Sequence, residues 1–190
     1  CNEEASEVVR LRYSLAGTGI EEDEIRKNLA KYLLIYNRVK PNIDLIDGTG
    51  EEMPWVEAVV KSHRPDIVIL DMGHKYAERT SDKTDVYLKD AAIHARNIAK
   101  QYDCVVFWMT QLSASAEGLV NPDMSMIEGS KTGLAGEADL MILISKNRKI
   151  EGAEESEDSQ RHLTIAKNKI SGFHGRITCQ LDGAVARFTA

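Results

Sequence analysis

The sequence predicts an α/β protein built on a parallel sheet, and three stretches carry that prediction. PDIVILD (Pro65 to Asp71) and CVVFWMTQ (Cys104 to Gln111) are short runs of consecutive apolar residues, the pattern of strands buried on both faces. Between them Leu88, Ala91, Ala95, Ile98 and Tyr102 recur at helical spacing, which predicts one long helix from about Asp82 to Tyr102. Strand, helix, strand with hydrophobic strands is the βαβ unit, which sets two strands parallel in one sheet.

The other elements follow in order. Ala5, Val8, Val9, Leu15 and Ala16 lie near one face of a helix that Gly17 and Gly19 end. A second helix is predicted through IEEDEIRKNLAKYLLIYNR, with Ile25, Leu29, Leu33 and Tyr36 in register and acids in its first turn, stopping before Pro41. NIDLID (Asn42 to Asp47) alternates as a short strand, DGTG turns the chain, and Pro54 suits the first position of a helix through Val60. Leu112 to Gly136 has little periodicity, and so long a connection inside a compact domain is usually functional or mobile. ADLMILIS (Ala138 to Ser145) predicts a third buried strand, and KNRKIEGAEESEDSQ a solvated hairpin loop. HLTIAKNK, GRITCQLDG and AVARFTA alternate as short antiparallel strands with glycine-containing turns.

Composition narrows the class. A chain of 190 residues that is 43% hydrophobic is long enough for one well-buried domain and short for two. The net charge of −6 gives no global basic field, so any contact with nucleic acid must be local or shared between subunits. Three widely spaced cysteines with no CxxC pair argue against a disulfide framework or a zinc site, and for reduced thiols. No run approaches about 18 apolar residues, so no membrane span is expected. His63, His74 and His94 have no ligand spacing, and Trp55 and Trp108 read as core.

The polar residues at strand ends carry the chemistry. In open α/β sheets ligands bind outside the carboxyl ends of the strands, so Asp71, which closes PDIVILD, is a candidate Mg²⁺ or water-positioning carboxylate. Glu3 follows what would be another strand end, and Gln111 closes CVVFWMTQ. A phosphoryl-transfer site needs a carboxylate for the metal, a group to orient the attacking water and a neutral sensor of the γ-phosphate, and these three residues can fill those roles. Each also has a plainer reading: Glu3 as an acid at a helix N-terminus, Asp71 as a turn residue, Gln111 as a strand terminator.

Taken together, NEEASEVVRLR, PDIVILD, VVFWMTQL, GSKTGLAGEADLMILI and IAKNKISGFHGRITCQLDGAVARF resemble, in order and spacing, the RecA-fold motor domain of hexameric replicative helicases of the DnaB and phage primase-helicase type. The resemblance implies a RecA-like parallel sheet with flanking helices and C-terminal antiparallel hairpins, one ATPase motor domain over residues 1–190 that is incomplete at its N-terminus. It implies ATP and Mg²⁺ as cofactors, with Asp71 holding Mg²⁺ through its water shell, Glu3 polarising the attacking water and Gln111 sensing the γ-phosphate. Lys167 and Lys169 would reach the neighbouring subunit's nucleotide, and Ser130, Lys131, Thr132 and Gly133, within the loop Leu112 to Gly136, would track single-stranded DNA. It further implies a homo-oligomeric ring, a hexamer in this type, a primase or loader as partner, and work in the cytoplasm of a bacterial or phage-infected cell.

The chain departs from that pattern twice. Lys169 stands where arginine is usual, keeping the charge but losing the planar fork. No GxxxxGK[ST] occurs; in EGSKTG the lysine follows Ser130, so the usual phosphate cradle cannot form there. A separate P-loop-bearing segment is therefore expected, since a sheet missing an internal strand would leave backbone groups unpaired. Without a Walker A motif this chain alone is expected to be inactive as an ATPase. Two alternatives share the strand-end acids or the fold: a RecA/RadA-like recombinase ATPase, and a non-catalytic RecA-fold interaction module. On a half-buried strand, Lys167 and Lys169 could equally be plain exposed positions.

Overall fold

The computed structural model describes residues 5–129, 132–146 and 159–189. Helix α1 (Ser6–Thr18) ends at Gly19, whose left-handed φ of 68° lets its N–H reach back to Leu15 O. The single helix expected next is two, α2 (Glu22–Lys27) and α3 (Leu29–Val39). They part at Asn28, whose side chain accepts from the Lys31 N–H at 3.1 Å and so caps α3 instead of extending α2. NIDLID is not a strand: a 3₁₀ turn covers Lys40–Asn42, and residues 43–48 pair with no described strand. Its alternation assigns faces but supplies no ladder partner.

Helix α4 (Met53–His63) carries Pro54 in its first turn, where a missing N–H costs nothing. Strand β1 (Ile67–Leu70), helix α5 (Thr84–Tyr102) and strand β2 (Val105–Trp108) form the expected βαβ unit, with β1 and β2 parallel and Leu70 opposite Trp108. A five-residue helix α6 (Gly133–Glu137) leads into β3 (Leu140–Ser145), β4 (Gln160–Asn168), β5 (Gly175–Asp182) and β6 (Arg187–Thr189). These last strands form their own antiparallel sheet in the order β3-β4-β5-β6. The fold is thus α/β with C-terminal antiparallel hairpins, but β3 joins the antiparallel sheet, and among the described residues no ladder connects it to β2.

One core cluster gathers Met53, Val56, Val60, Leu70, Tyr76, Ala91, Ala95 and Ile98 from α4, β1, the turn after it and α5. A second gathers Leu88, Ala92, Ile127 and Leu134, with Trp108 at the end of β2 and Met141 in β3 packed against it. Both sheets therefore rest on α5. Trp55 packs on the first cluster and Trp108 touches both, as core tryptophans do.

The expectation of strands buried on both faces is corrected. Val68, Leu70, Val106, Trp108, Met141 and Leu143 turn towards the helices, whereas Ile67, Ile69, Val105, Phe107, Leu140, Ile142 and Ile144 are exposed, Ile69 at 65%. The apolar runs are those of a two-sided sheet, yet among the described residues only one side is covered.

Candidate functional site

Because β1 and β2 are parallel and in register, their carboxyl ends form one edge, and Asp71 and Gln111 both lie there. Backbone bonds continue the pairing past the strands: Met109 N–H donates to Leu70 O at 3.0 Å, and Gly73 N–H to Met109 O at 2.8 Å. Met72, at φ 52°, turns the chain away from β1. Gly73 then passes so close to the Trp108 ring that a Cβ would sit 2.5 Å from it, so a side chain there would displace the tryptophan. Asp71 is half-buried and Gln111 exposed. Neither side chain makes a hydrogen bond or ion pair among the described residues, which leaves both for a ligand.

Asp47, which lies outside the sequence motifs, comes to the same neighbourhood. Gly48 lies against the Tyr76 ring, a built Cβ meeting the hydroxyl at 2.8 Å. Burial first, then the charges of Asp71 and Asp47, push the Tyr76 phenol above its ordinary pKa, which places both carboxylates near it. Asp47 accepts from the Thr49 hydroxyl at 2.8 Å and the Thr49 N–H at 3.0 Å, and these bonds hold its carboxyl below the usual range. A local signal for it exists: NIDLID, like PDIVILD, is a short strand-like segment closed by an acid before a turn. Thr110 Oγ1, beside Gln111 in sequence, is buried without a partner. Asp71 and Asp47 are hard oxygen donors of the kind that suit a hydrated Mg²⁺. Nothing among them is a phosphate cradle.

The loop after Gln111 is pinned at both ends. Leu112 bridges to Ile127, Ser113 N–H donates to Met126 O at 2.7 Å, and Glu128 N–H donates to Gln111 O at 3.1 Å. Farther along, Ser145 Oγ donates to Val120 O and Arg176 Nη1 to Asn121 Oδ1, each at 2.8 Å. Arg176, distant in sequence, thus brings a cation to a loop whose own basic residue is Lys131. Of the candidate DNA-binding quartet, Ser130 and Lys131 lie outside the described residues, as does Glu3. Thr132 is exposed, while Gly133 is buried with its N–H donated to Asp85 Oδ1 at 3.3 Å.

Lys167 and Lys169 engage the C-terminal end of α6. Met141 pairs with Lys167 but Ile142 with Ile165, so Ala166 is an extra residue that bulges β4. Lys167 Nζ donates to Ala135 O and, at 3.0 Å, to Gly136 O, while Lys169 Nζ reaches Gly136 O at 3.3 Å. Burial, then the neighbouring Lys169 charge, lowers the Lys167 pKa. No hydrogen bond or ion pair among the described residues joins either lysine to Asp71 or Gln111 of the same chain. A polar cavity of about 520 Å³ lies elsewhere, walled by Arg10, Tyr13, Tyr36 and Lys40, and includes no strand-end residue.

Among the described residues no helix is long and apolar enough to cross a membrane, and no cluster of three or more His, Cys, Asp or Glu could hold a metal by itself. No protein-family model and no curated protein matches the chain. Solved structures do. One of them, described as an ATPase domain, superposes with a TM-score of 0.81 at 19% identity, over 98% of this chain and 71% of that one. A DnaB-like replicative helicase, described with its interactions with primase, superposes with a TM-score of 0.82 at 18% identity, over 98% of this chain. The present chain spans 48% of that helicase. With 98% of its residues superposed, this chain has the fold of the DnaB-type helicase ATPase domain.

Proposed function

We propose that the chain is the greater part of an ATP-driven motor domain that works in a ring, a hexamer, and translocates on single-stranded DNA to unwind duplex. The observation that carries this reading is the shared edge of β1 and β2, where Asp71 and Gln111 stand with free side chains at the carboxyl ends of parallel strands. Asp71 would hold Mg²⁺ through water, with Asp47 beside the same Tyr76 ring, and Gln111 would read the γ-phosphate. Glu3 polarises the attacking water. The metal supplies charge neutralisation at the phosphates, and the neighbour's Lys167 and Lys169 supply the rest across a head-to-tail interface. The loop Leu112 to Gly136, with Ser130, Lys131, Thr132 and Gly133 in its last part, tracks the DNA, and Arg176 adds charge beside it.

A phosphate cradle must come from a P-loop-bearing segment other than these residues. Among the described residues the edges of β2 and β3 are unpaired and one side of β1 and β2 is apolar and exposed, which supports a strand and a helix from that segment docking there. Primase or a loader is the expected further partner, and the cytoplasm of a bacterial or phage-infected cell the expected compartment. The missing GxxxxGK[ST] favours one second reading, a non-catalytic module that assembles with an active partner. A recombinase would pair homologous strands instead of displacing one.

The test is Mg-ATP hydrolysis by the native protein with and without single-stranded DNA. Asp71→Asn and Glu3→Gln are each expected to lower DNA-stimulated turnover by at least about 100-fold. Turnover indifferent to both substitutions overturns the assignment of roles, and no turnover in the wild type leaves the module reading.

A further inference from the structure

We infer that the C-terminal end of α6 and a neighbouring subunit's nucleotide compete for the same two ammonium groups, those of Lys167 and Lys169, and that Arg96 sets the balance. The inference rests on the motor reading above and concerns how that site is regulated. The acceptors are the Ala135 and Gly136 carbonyls, which belong to the last turn of α6 and lack onward helical partners. Because α6 closes the loop that begins at Leu112, a shift of that loop moves the acceptors. The lysines then become free or held according to where the loop lies.

Carboxylates decide how firmly they are held. Asp139 Oδ1 is 3.7 Å from Lys169 Nζ, and the Asp139 carbonyl accepts the Lys169 N–H at 2.8 Å. Arg96 reaches over from α5 to the same place, 3.4 Å from Glu137 Oε2 and 3.4 Å from Asp139 Oδ1. Its Nε is buried without a partner among the described residues, so the guanidinium gives up solvation to stand there. While Arg96 shares the two carboxylates, Lys167 is tied by two neutral carbonyls and Lys169 by one carbonyl and a 3.7 Å approach to Asp139, and a triphosphate offers both a stronger partner. Without Arg96, Glu137 and Asp139 turn to the lysines and keep them in their own chain. Arg96 is a positioning residue in this scheme, since it touches neither nucleotide nor DNA.

The experiment compares wild type, Arg96→Met, Arg96→Lys and the double variant Arg96→Met with Asp139→Asn, all in the native assembly. Arg96→Met is expected to lower the DNA-stimulated kcat roughly threefold to fivefold with little change in KM for ATP, the scale of a partly exposed charge pair. Arg96→Lys should restore most of it, and adding Asp139→Asn to Arg96→Met should restore it too, an outcome that mere structural damage does not produce. In parallel, acetylation of lysines by a water-soluble acylating reagent, followed by mass spectrometry without nucleotide, should show Lys167 and Lys169 labelled more slowly in Arg96→Met. Labelling of Lys61 and Lys89 should not change, which checks that the fold is kept. Stimulated turnover that is unchanged in Arg96→Met, or not recovered by Asp139→Asn, overturns the competition and leaves the motor reading standing. No stimulated turnover in the wild type overturns the motor reading itself.

Discussion

Glu57 shows how one side chain can tie two helices. Its Oε2 lies 2.8 Å from His94 Nε2, and its Oε1 accepts from the Tyr102 hydroxyl at 3.1 Å, so a carboxylate on α4 meets two donors spaced along α5. The Arg64 guanidinium covers the Tyr102 ring at 5.1 Å and completes the cluster. The His94 hydrogen bond first, helped by that of Tyr102, holds the Glu57 carboxyl below its ordinary value of 4.5. A depressed pKa in the folded state stabilises at pH above the unfolded value, and that stabilisation is lost as pH falls through the folded one. Wild type should therefore be more stable than Glu57→Gln at neutral pH, with the gap closing below pH 4.5. Urea unfolding of both proteins across that range measures it; a gap that persists in acid would make the contact one of packing.

Among the elements, the break between α2 and α3 rests on Asn28. Helix α3 has no fully buried residue among those described and leaves Leu29 and Leu34 exposed at 58% and 70%, so little packing compensates for a lost cap. Asn28→Ala should cost about 1 kcal/mol, read as a lower urea midpoint and a weaker helical circular-dichroism signal; an unchanged midpoint would mean the cap is idle. This break was hard to read in advance, because Ile25, Leu29, Leu33 and Tyr36 keep helical spacing through it and one side-chain hydrogen bond outweighs that rhythm. By contrast, α1, α5, β1 and β2 were legible, each marked by its own periodicity or apolar run, with glycines ending α1 and the polar residues Asp71 and Gln111 closing the stretches that hold β1 and β2. The candidate site divides the same way. Asp71 and Gln111 could be read because strand ends announce themselves locally. Asp47 carried the same local signal, an acid closing a short apolar segment, whereas Arg96 and Arg176 carried none, since their partners come from segments up to 55 residues away, as with Arg176 and Asn121.

For the molecule as a whole, the sidedness of the sheets matters most. Ile67, Ile69, Val105 and Phe107 form an apolar surface that water meets directly, Phe107 at 48% exposure. A preparation of these 190 residues alone should bind an apolar fluorescent dye in native buffer, and Ile69→Thr with Phe107→Thr should lower the signal. The same pair should change stability by no more than about 0.5 kcal/mol, as exposed substitutions do; strong destabilisation would show that the surface is packed after all. The missing ladder between β2 and β3 has a consequence for cooperativity. Strands joined edge to edge open together, but here the two sheets are coupled through side chains on α5, where Trp108 and Met141 meet one cluster. The hairpin sheet can then fray as a unit while the βαβ unit stays closed, each with its own opening free energy. Only a strand laid between β2 and β3 would merge the two units into one cooperative body, so that assembly and global stability rise together.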